Sequence, residues 1–393
     1  KKGIQEGITL RVNDVSKVDL MLEVGSVNEQ VTITTAPPEI NTTTAELGRT
    51  IQSQEIENLP LVERNVFALL DLTPGVQSNN GGGEKTASVA TSDLSLGFPE
   101  QRTLINGGTD GGTGSVNYYL DGGINMTNLR NTGNVAPNPD AVQEFRIQTN
   151  SYNAEYGRFA SGIVNVLTRS GTNKFRGSVY EYFRDTVLNA NEWGSVLERA
   201  PYKRNQFGGA LGGPIVKDKT FFFFSYSGLR QMTNKFLDGA RVPTALERIG
   251  NFSQSGTTPK DPATGTTLAN ATNFSCLGVV GVICPNRIDP VAAKIIADYI
   301  PVSNVTLSNG VPSWQGNVPL PYDTDEVLAK IDHQVNEAHR ITGSYFTTAG
   351  VTTVFPGSGN LAWATQDYEW RQHNLNLSDV WIMGPDKINQ VWI

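Results

Sequence analysis

Residues 327–348 read Val327-Leu328-Ala329-Lys330-Ile331-Asp332-His333-Gln334-Val335-Asn336-Glu337-Ala338-His339-Arg340-Ile341-Thr342-Gly343-Ser344-Tyr345-Phe346-Thr347-Thr348. Val327, Ala329, Ile331, His333 and Val335 fall on one side of an extended chain, and Leu328, Lys330, Asp332 and Gln334 on the other. A period of two marks a β-strand, because successive side chains leave opposite faces. Asn336-Glu337-Ala338 is a turn, after which 339–348 resumes with Ile341 and Tyr345 on one face. The stretch is a hairpin.

Working outward, the same arrangement occurs twice more. Phe207, Gly209, Leu211, Gly213 and Ile215 line one strand face, Lys217-Asp218-Lys219 turns, and Phe222, Phe224 and Tyr226 line the next. Leu375, Leu377, Trp381 and Met383 precede a turn at Gly384-Pro385-Asp386, and 388–393 resumes. These strands are expected to run about 9–13 residues, beyond the ~5–6 usual in soluble sheets and near the ~9–11 that cross a bilayer at a tilt. Connections of about three residues at one end alternate with the segments 185–204, 232–325 and 349–368 at the other, as in outer-membrane barrels. The aromatic run 221–224 beside a short turn is expected in an interfacial girdle. In 177–184 both faces carry aromatics, and the pattern assigns no outward side.

The 393 residues carry a net charge of −7 and no basic stripe, which argues against a nucleic-acid partner. No run approaches the ~18 apolar residues of a membrane helix. A mean hydropathy of −0.28 fits barrel strands, whose apolar residues are hidden at every second position. The chain lacks an initiator Met and stops inside an alternating pattern, so it is expected to be a fragment, and its lack of a targeting signal says nothing about location.

Ahead of the hairpins, residues 1–35 alternate like strands, and the Pro- and Thr-rich 36–44 reads as a linker. Residues 45–170 read as a small α/β unit: helical spacing at 51–60 and 64–72, a Gly-, Asn-, Ser- and Asp-rich stretch to 140, a short helix at 139–147 leading into a strand, and a strand over 162–169.

Five short motifs then occur in order: Glu57-Asn58-Leu59-Pro60-Leu61, Leu72-Thr73-Pro74-Gly75-Val76, Ile105-Asn106-Gly107-Gly108, Tyr119-Leu120-Asp121-Gly122 and Ala154-Glu155-Tyr156-Gly157-Arg158. With Thr168-Arg169-Ser170-Gly171 following a strand, they resemble the plug and plug-to-barrel junction of TonB-dependent outer-membrane transporters. The closer likeness is to the Oar-like branch, which carries a carboxypeptidase-regulatory-like domain ahead of the plug. The resemblance implies a mainly β protein. Residues 1–35 would end the regulatory-like β-sandwich and carry a TonB-box candidate, 36–44 would be a linker, 45–170 the plug, and 171–393 the first strands of a transmembrane barrel. It implies uptake of an extracellular substrate, outer-membrane lipid around the barrel, and energy from a TonB-type partner, with no cofactor and no catalysis. The box candidate is Val31, Thr32, Ile33, Thr34 and Thr35, able to add as a strand to the partner; the same residues also read as the last strand of the sandwich.

Signatures of a GxSxG elbow, a phosphate-binding P-loop, a dinucleotide fold and an HExxH zinc site are missing. His333, His339 and His373 fall on predicted strands and read as lumen or interface residues rather than a metal set. Asp110, Asp121 and Asn125 lie among glycines and read as turn formers. Gly81-Gly82-Gly83-Glu84-Lys85 reads as a plug loop. Cys276 and Cys284 lie in the long loop that the barrel reading places outside the cell, where an oxidising exterior favours a disulfide. Trp193 and Trp314, in predicted loops, suit packing or sugar stacking. A surface or secreted β-rich adhesin or glycan-binding protein is the alternative, but it gives no reason for the unequal turn lengths.

Overall fold

A computed structural model describes residues 2–5, 30–33, 46–59, 61, 64–78, 103–108, 115–127, 131–153, 155–157, 161–190, 199, 201–256, 258–267, 269–307, 310–354, 365–384 and 387–393. At the start of the chain, β1 (Lys2–Gln5) and β2 (Gln30–Ile33) pair in parallel.

A small sheet follows. Its strands are β3 (Leu47–Gln52), β6 (Val116–Leu120), β7 (Gly123–Ile124), β8 (Val142–Asn150) and β9 (Gly162–Thr168), in the order β3-β8-β9-β6-β7, while β4 (Val76–Ser78) and β5 (Thr103–Ile105) pair separately. The sheet is mixed: β6 and β9 run parallel and the other pairs antiparallel. Ile163, Val164 and Val166 of β9 are all buried, the near-continuous apolar run of a strand covered on both faces. Ile51, Ile56, Phe67, Leu70, Tyr118, Phe145 and Ile147 complete the core, with Phe67 edge-on to Tyr118 at 5.4 Å.

Two expectations for this region are corrected. The helix expected over 51–60 is strand to Gln52, and only Ser53–Asn58 is helical (α1). The helix ends ahead of Leu59, whose backbone is extended, as suits a residue preceding proline. No helix forms over 139–147; residues 139–141 turn directly into β8, whose backbone is claimed by β3 on one edge and β9 on the other. In both cases sheet pairing overrides local spacing. The second expected helix is the 3-10 turn Val66–Leu72, started by Asn65, whose side chain accepts from Phe67 N.

The rest is one long antiparallel sheet. Its strands, in chain and sheet order, are β10 (Arg176–Asp185), β11 (Lys203–Val216), β12 (Thr220–Arg241), β16 (Pro312–Asn336), β17 (His339–Val354), β18 (Gln366–Gly384) and β19 (Lys387–Trp392). Between β12 and β16 lie α2 (Ala245–Arg248), the hairpin β13 (Ser275–Cys276) and β14 (Val279–Val280), α3 (Pro290–Tyr299), and β15 (Val305–Thr306), which pairs with β16. The turns at 217–219 and 336–338 and the short connection from β18 to β19 lie at one end of this sheet, and the long connections at the other. Mainly β architecture is thus established.

The strands exceed the expected length: β12 has 22 residues and β16 has 25. Apolar alternation marks only the stretch with an apolar face, whereas backbone pairing continues past it. On that continuation the outer positions turn polar, with Arg230 donating to both carboxylate oxygens of Asp325.

The central strands divide between two faces. Leu211, Phe224, Ile331 (51% exposed) and Leu375 (74% exposed) point outward, whereas Phe223, Leu328 and Phe346 point inward and are buried in the same cluster as the small-sheet core. The 221–224 aromatic run therefore does not form a single girdle, since Phe224 faces out and Phe223 in. In β10, Tyr180 and Tyr182 face inward, leaving Val179 and Phe183 uncovered outside. An outward band of Leu, Ile, Phe and Trp over a polar inner face is the arrangement of a strand in lipid. Among the described residues no helix is long and apolar enough to cross a membrane.

Placing Arg at Ile331 or Leu377 should cost about 2–4 kcal/mol if these positions face hydrocarbon. The amount of protein recovered from outer membranes should fall accordingly, while Arg at the polar outer position Asp323 should leave recovery unchanged.

Candidate functional site

The inward positions of β16 after Glu326 are Leu328, Lys330, Asp332 and Gln334, and the small sheet lies against them. Lys330 is only 4% exposed. Its ammonium donates to Asp121 Oδ1 at 3.2 Å, to the Thr168 carbonyl at 3.2 Å and to Thr168 Oγ1 at 3.1 Å. These three contacts match the three donors of an ammonium group. Asp121 adopts a left-handed backbone (φ 48°), which short polar residues tolerate, and its carboxylate also accepts from Thr168 N at 2.9 Å and Thr168 Oγ1 at 2.6 Å. A turn of the small sheet, the end of β9 and the last third of β16 are thereby tied at one point.

Other polar contacts surround it. Glu326 Oε1 accepts from both the backbone N and the Nδ2 of Asn138 at 2.7 Å, and the same Nδ2 reaches Ser225 Oγ at 2.9 Å. The Arg64 guanidinium is bonded to Asp140 and lies over the rings of Tyr180 and Tyr182, 4.1 and 4.7 Å from their centroids. From β18, Asn376 donates to the Leu120 carbonyl at 3.1 Å, Asn374 to that of Ile124 at 3.2 Å, and Gln372 to Asn125 Oδ1 at 3.1 Å. Trp392 of β19 packs on Gly122, where a Cβ would lie 2.5 Å from the indole nitrogen. The interface has a small apolar centre and a wide polar margin.

The motif residues sort into three groups. Asp121 and Gly122 reach the long sheet. Pro74-Gly75 and Asn106-Gly107 meet each other: Asn106 N donates to the Gly75 carbonyl at 2.8 Å and Asn106 Nδ2 to that of Thr149 at 2.9 Å. Tyr156 stands edge-on to Tyr119 at 5.5 Å, and the Gly157 carbonyl accepts from Asn117 Nδ2 at 2.7 Å. Leu59 caps α1 by donating to the Glu55 carbonyl. Of the box candidate, Val31, Thr32 and Ile33 lie in β2, in register with Gly3, Ile4 and Gln5 of β1. Thr34, Thr35, Pro60, Arg158, Asp110, Trp193 and the 81–85 glycine run lie outside the described residues. Trp314 belongs to β16 rather than a loop and packs with Leu237 and Val318. His339 stacks on Trp381 and His373 on Tyr345, and no group of three metal-ligating side chains occurs among the described residues.

Sequence reading missed Lys330, Glu326, Arg64, Asp140 and Asn138 as site residues. The signal for Lys330 was present: a cation flanked by Leu328 and Asp332 on the face opposite the apolar one has to point away from lipid.

In the long connection, Cys276 and Cys284 are disulfide-bonded and close the β13–β14 hairpin. Beside them Arg287 forms a two-nitrogen pair with Asp261 and lies 4.9 Å from the centroid of Phe274. The Arg287 guanidinium, helped by Ala263 N, holds the Asp261 carboxyl below the usual carboxylate range.

The outer membrane beta barrel domain, as a family, matches residues 167–393. The chain belongs to that family. Outer membrane beta barrel proteins reside in the outer membrane, and so does this chain. The TonB-dependent transporter Oar of Myxococcus xanthus is 29% identical over 256 residues, covering 61% of this chain and 22% of that protein. The probable TonB-dependent siderophore receptor PirA of Acinetobacter baumannii is 25% identical over 171 residues, 43% of this chain and 21% of its own length. The chain therefore spans about a fifth of either curated relative. The outer membrane transporter YddB from Escherichia coli superposes with a TM-score of 0.45 at 13% identity, over 85% of this chain and 36% of YddB. The two curated relatives are a transporter and a receptor rather than enzymes.

Two outcomes follow. Lys330→Met strands a buried Asp121 carboxylate and should destabilise the interface by about 3–5 kcal/mol, whereas Lys330→Met with Asp121→Asn should recover much of the loss. Hydrogen exchange of 116–122 and 162–168 measures both. For the loop, a depressed carboxyl stabilises at pH above its unfolded value, ~4, and the contribution is lost as pH falls through the folded value. Protease resistance of 258–288 should hold from pH 7 to about 5 and drop below about 4, and Asp261→Asn should abolish that dependence.

Proposed function

We propose that the chain is the plug and leading barrel strands of a TonB-dependent receptor that takes up an extracellular substrate, with 45–170 as the plug and 171–393 as barrel wall. Residues 1–35 contribute the end of the regulatory-like domain and the TonB box, joined by the 36–44 linker. The observation that carries this reading is the character of the interface: a separate folded unit fills the inner face of a lipid-compatible sheet through ion pairs and amide hydrogen bonds. Polar contacts of this kind exchange for water when they part, so the unit can be released without exposing a large apolar core.

The topology supplies a route for the force. The segment ahead of residue 46 feeds β3, which among the described residues is an edge strand paired only with β8. Tension from a TonB-type partner gripping Val31–Thr35 enters there and peels β3 before it loads β6 and Asp121. Strand addition suits the grip, since among the described residues β2 pairs with β1 on one edge alone, and the other edge of such a strand can bond a partner strand. No covalent step is needed; energy comes from the inner-membrane gradient through the partner. The adhesin reading leaves the outward apolar band without a solvent that accepts it.

The test is made in cells carrying the complete reading frame. Ile33→Cys should crosslink to a cysteine-bearing TonB periplasmic domain, and the protein should migrate faster unboiled than boiled from the outer-membrane fraction. A soluble product with no boiling shift would contradict the proposal.

A further inference from the structure

The residue at which tension enters the small sheet is bonded ahead of itself. Glu46 stands immediately before β3, and its Oε2 accepts from Arg146 Nη2 at 3.3 Å and from Gln148 Nε2 at 3.0 Å. Both partners belong to β8 and are buried, Arg146 to 8% exposure and Gln148 to 1%. In the register of the two strands Leu47 faces Asn150, Gly48 faces Gln148, Arg49 faces Ile147 and Thr50 faces Arg146. The Glu46 carboxylate therefore reaches past the first backbone pair to side chains at the second and the fourth. Gly48 has no side chain to intervene, and a Cβ there would lie 2.4 Å from the Ile147 carbonyl oxygen.

This arrangement is not the one that stability alone would choose. Gln148 turns its Nε2 to Glu46 and leaves its own Oε1 buried without a hydrogen-bond partner among the described residues. An unmet buried acceptor is destabilising, so an apolar side chain at 148 would fold at lower cost.

We infer that Glu46, through Arg146 and Gln148, is a tension latch that sets the load at which the small sheet opens. The inference rests on the uptake reading above, which brings force to residue 46, and adds the element that decides when β3 yields. A bare edge strand pulled from its end unzips one backbone pair at a time, each pair taking the whole load in turn. With the carboxylate bonded to the second and fourth pairs, the first four share the load and give way together. Parting them also separates a buried guanidinium from a carboxylate, a cost that a backbone pair does not carry. The sheet thus stays closed under thermal motion and weak pulls, and opens under sustained load.

The full-length protein in surface-anchored outer-membrane vesicles is pulled at fixed load in magnetic tweezers through a tether at Ile33→Cys. Glu46→Gln should open about tenfold faster than wild type at the same load, because it removes the charge from both hydrogen bonds. Gln148→Leu should open faster by a similar factor, while hydrogen-exchange protection of 144–150 without load holds or rises, since the unmet acceptor is gone. A tether moved to Gly157→Cys, where a side chain has open space, bypasses residue 46, and from there Glu46→Gln should open at the wild-type rate. A wild-type opening rate in either variant under the residue 33 tether overturns the latch. So does equal acceleration of Glu46→Gln from both tethers, the mark of a general loss of stability. The crosslink at residue 33 tests the uptake reading separately: crosslinking with unchanged opening rates overturns the latch alone, and accelerated opening in a protein that never crosslinks overturns the uptake reading.

Discussion

The ammonium of Lys330 has to be placed somewhere, and the rest of the architecture is arranged around its placement. It sits mid-strand on a sheet whose other face is apolar, so it cannot turn outward without entering hydrocarbon, where a Lys costs several kcal/mol. It cannot stay bare on the inner side either, because Phe223, Leu328 and Phe346 bring the small sheet close enough to exclude water. Asp121 and Thr168 resolve the conflict by supplying charge and oxygen from two different strands. A buried ion pair adds little net stability, yet it fixes register strongly, since any shift strands a charge. The left-handed turn at Asp121, the end of β9 and the position of β16 are set by the same four groups.

Two solvents act on one sheet, and the small unit takes the place of a third. The outer face suits lipid, whereas the inner face meets the small unit through amides of Asn138, Asn374 and Asn376 around a small apolar centre. The strands outrun the apolar band because nothing stops antiparallel pairing when the outer residues become Arg230 and Asp325; the sheet rises into water and carries the disulfide-closed connection with it.

Much of this was legible in the sequence, and the reason is periodicity. Residues 327–348 state their faces, their turn and their direction, and the short turns near 218, 337 and 385 follow from the same alternation. The outer-membrane class follows from those hairpins. The failures share a cause as well. Helical spacing at 51–52 and 139–147 was real, but β8 lies between two strands and its backbone follows the ladder. The aromatics at 221–224 read as one cluster until the pleat divides them. The site itself was half visible: Asp121 stood in a motif and Lys330 on an inward position, yet 209 residues separate them, and only the folded chain shows that they meet.

The most direct measurement is spin-label accessibility along β16 in native outer membranes, with single cysteines placed from 327 to 332. The account predicts alternation: labels at 327, 329 and 331 relax with lipid-soluble oxygen and not with an aqueous nickel chelate, while labels at 328 and 332 are shielded from both by the small sheet. Equal accessibility at odd and even positions, or odd positions open to the aqueous reagent, would contradict it.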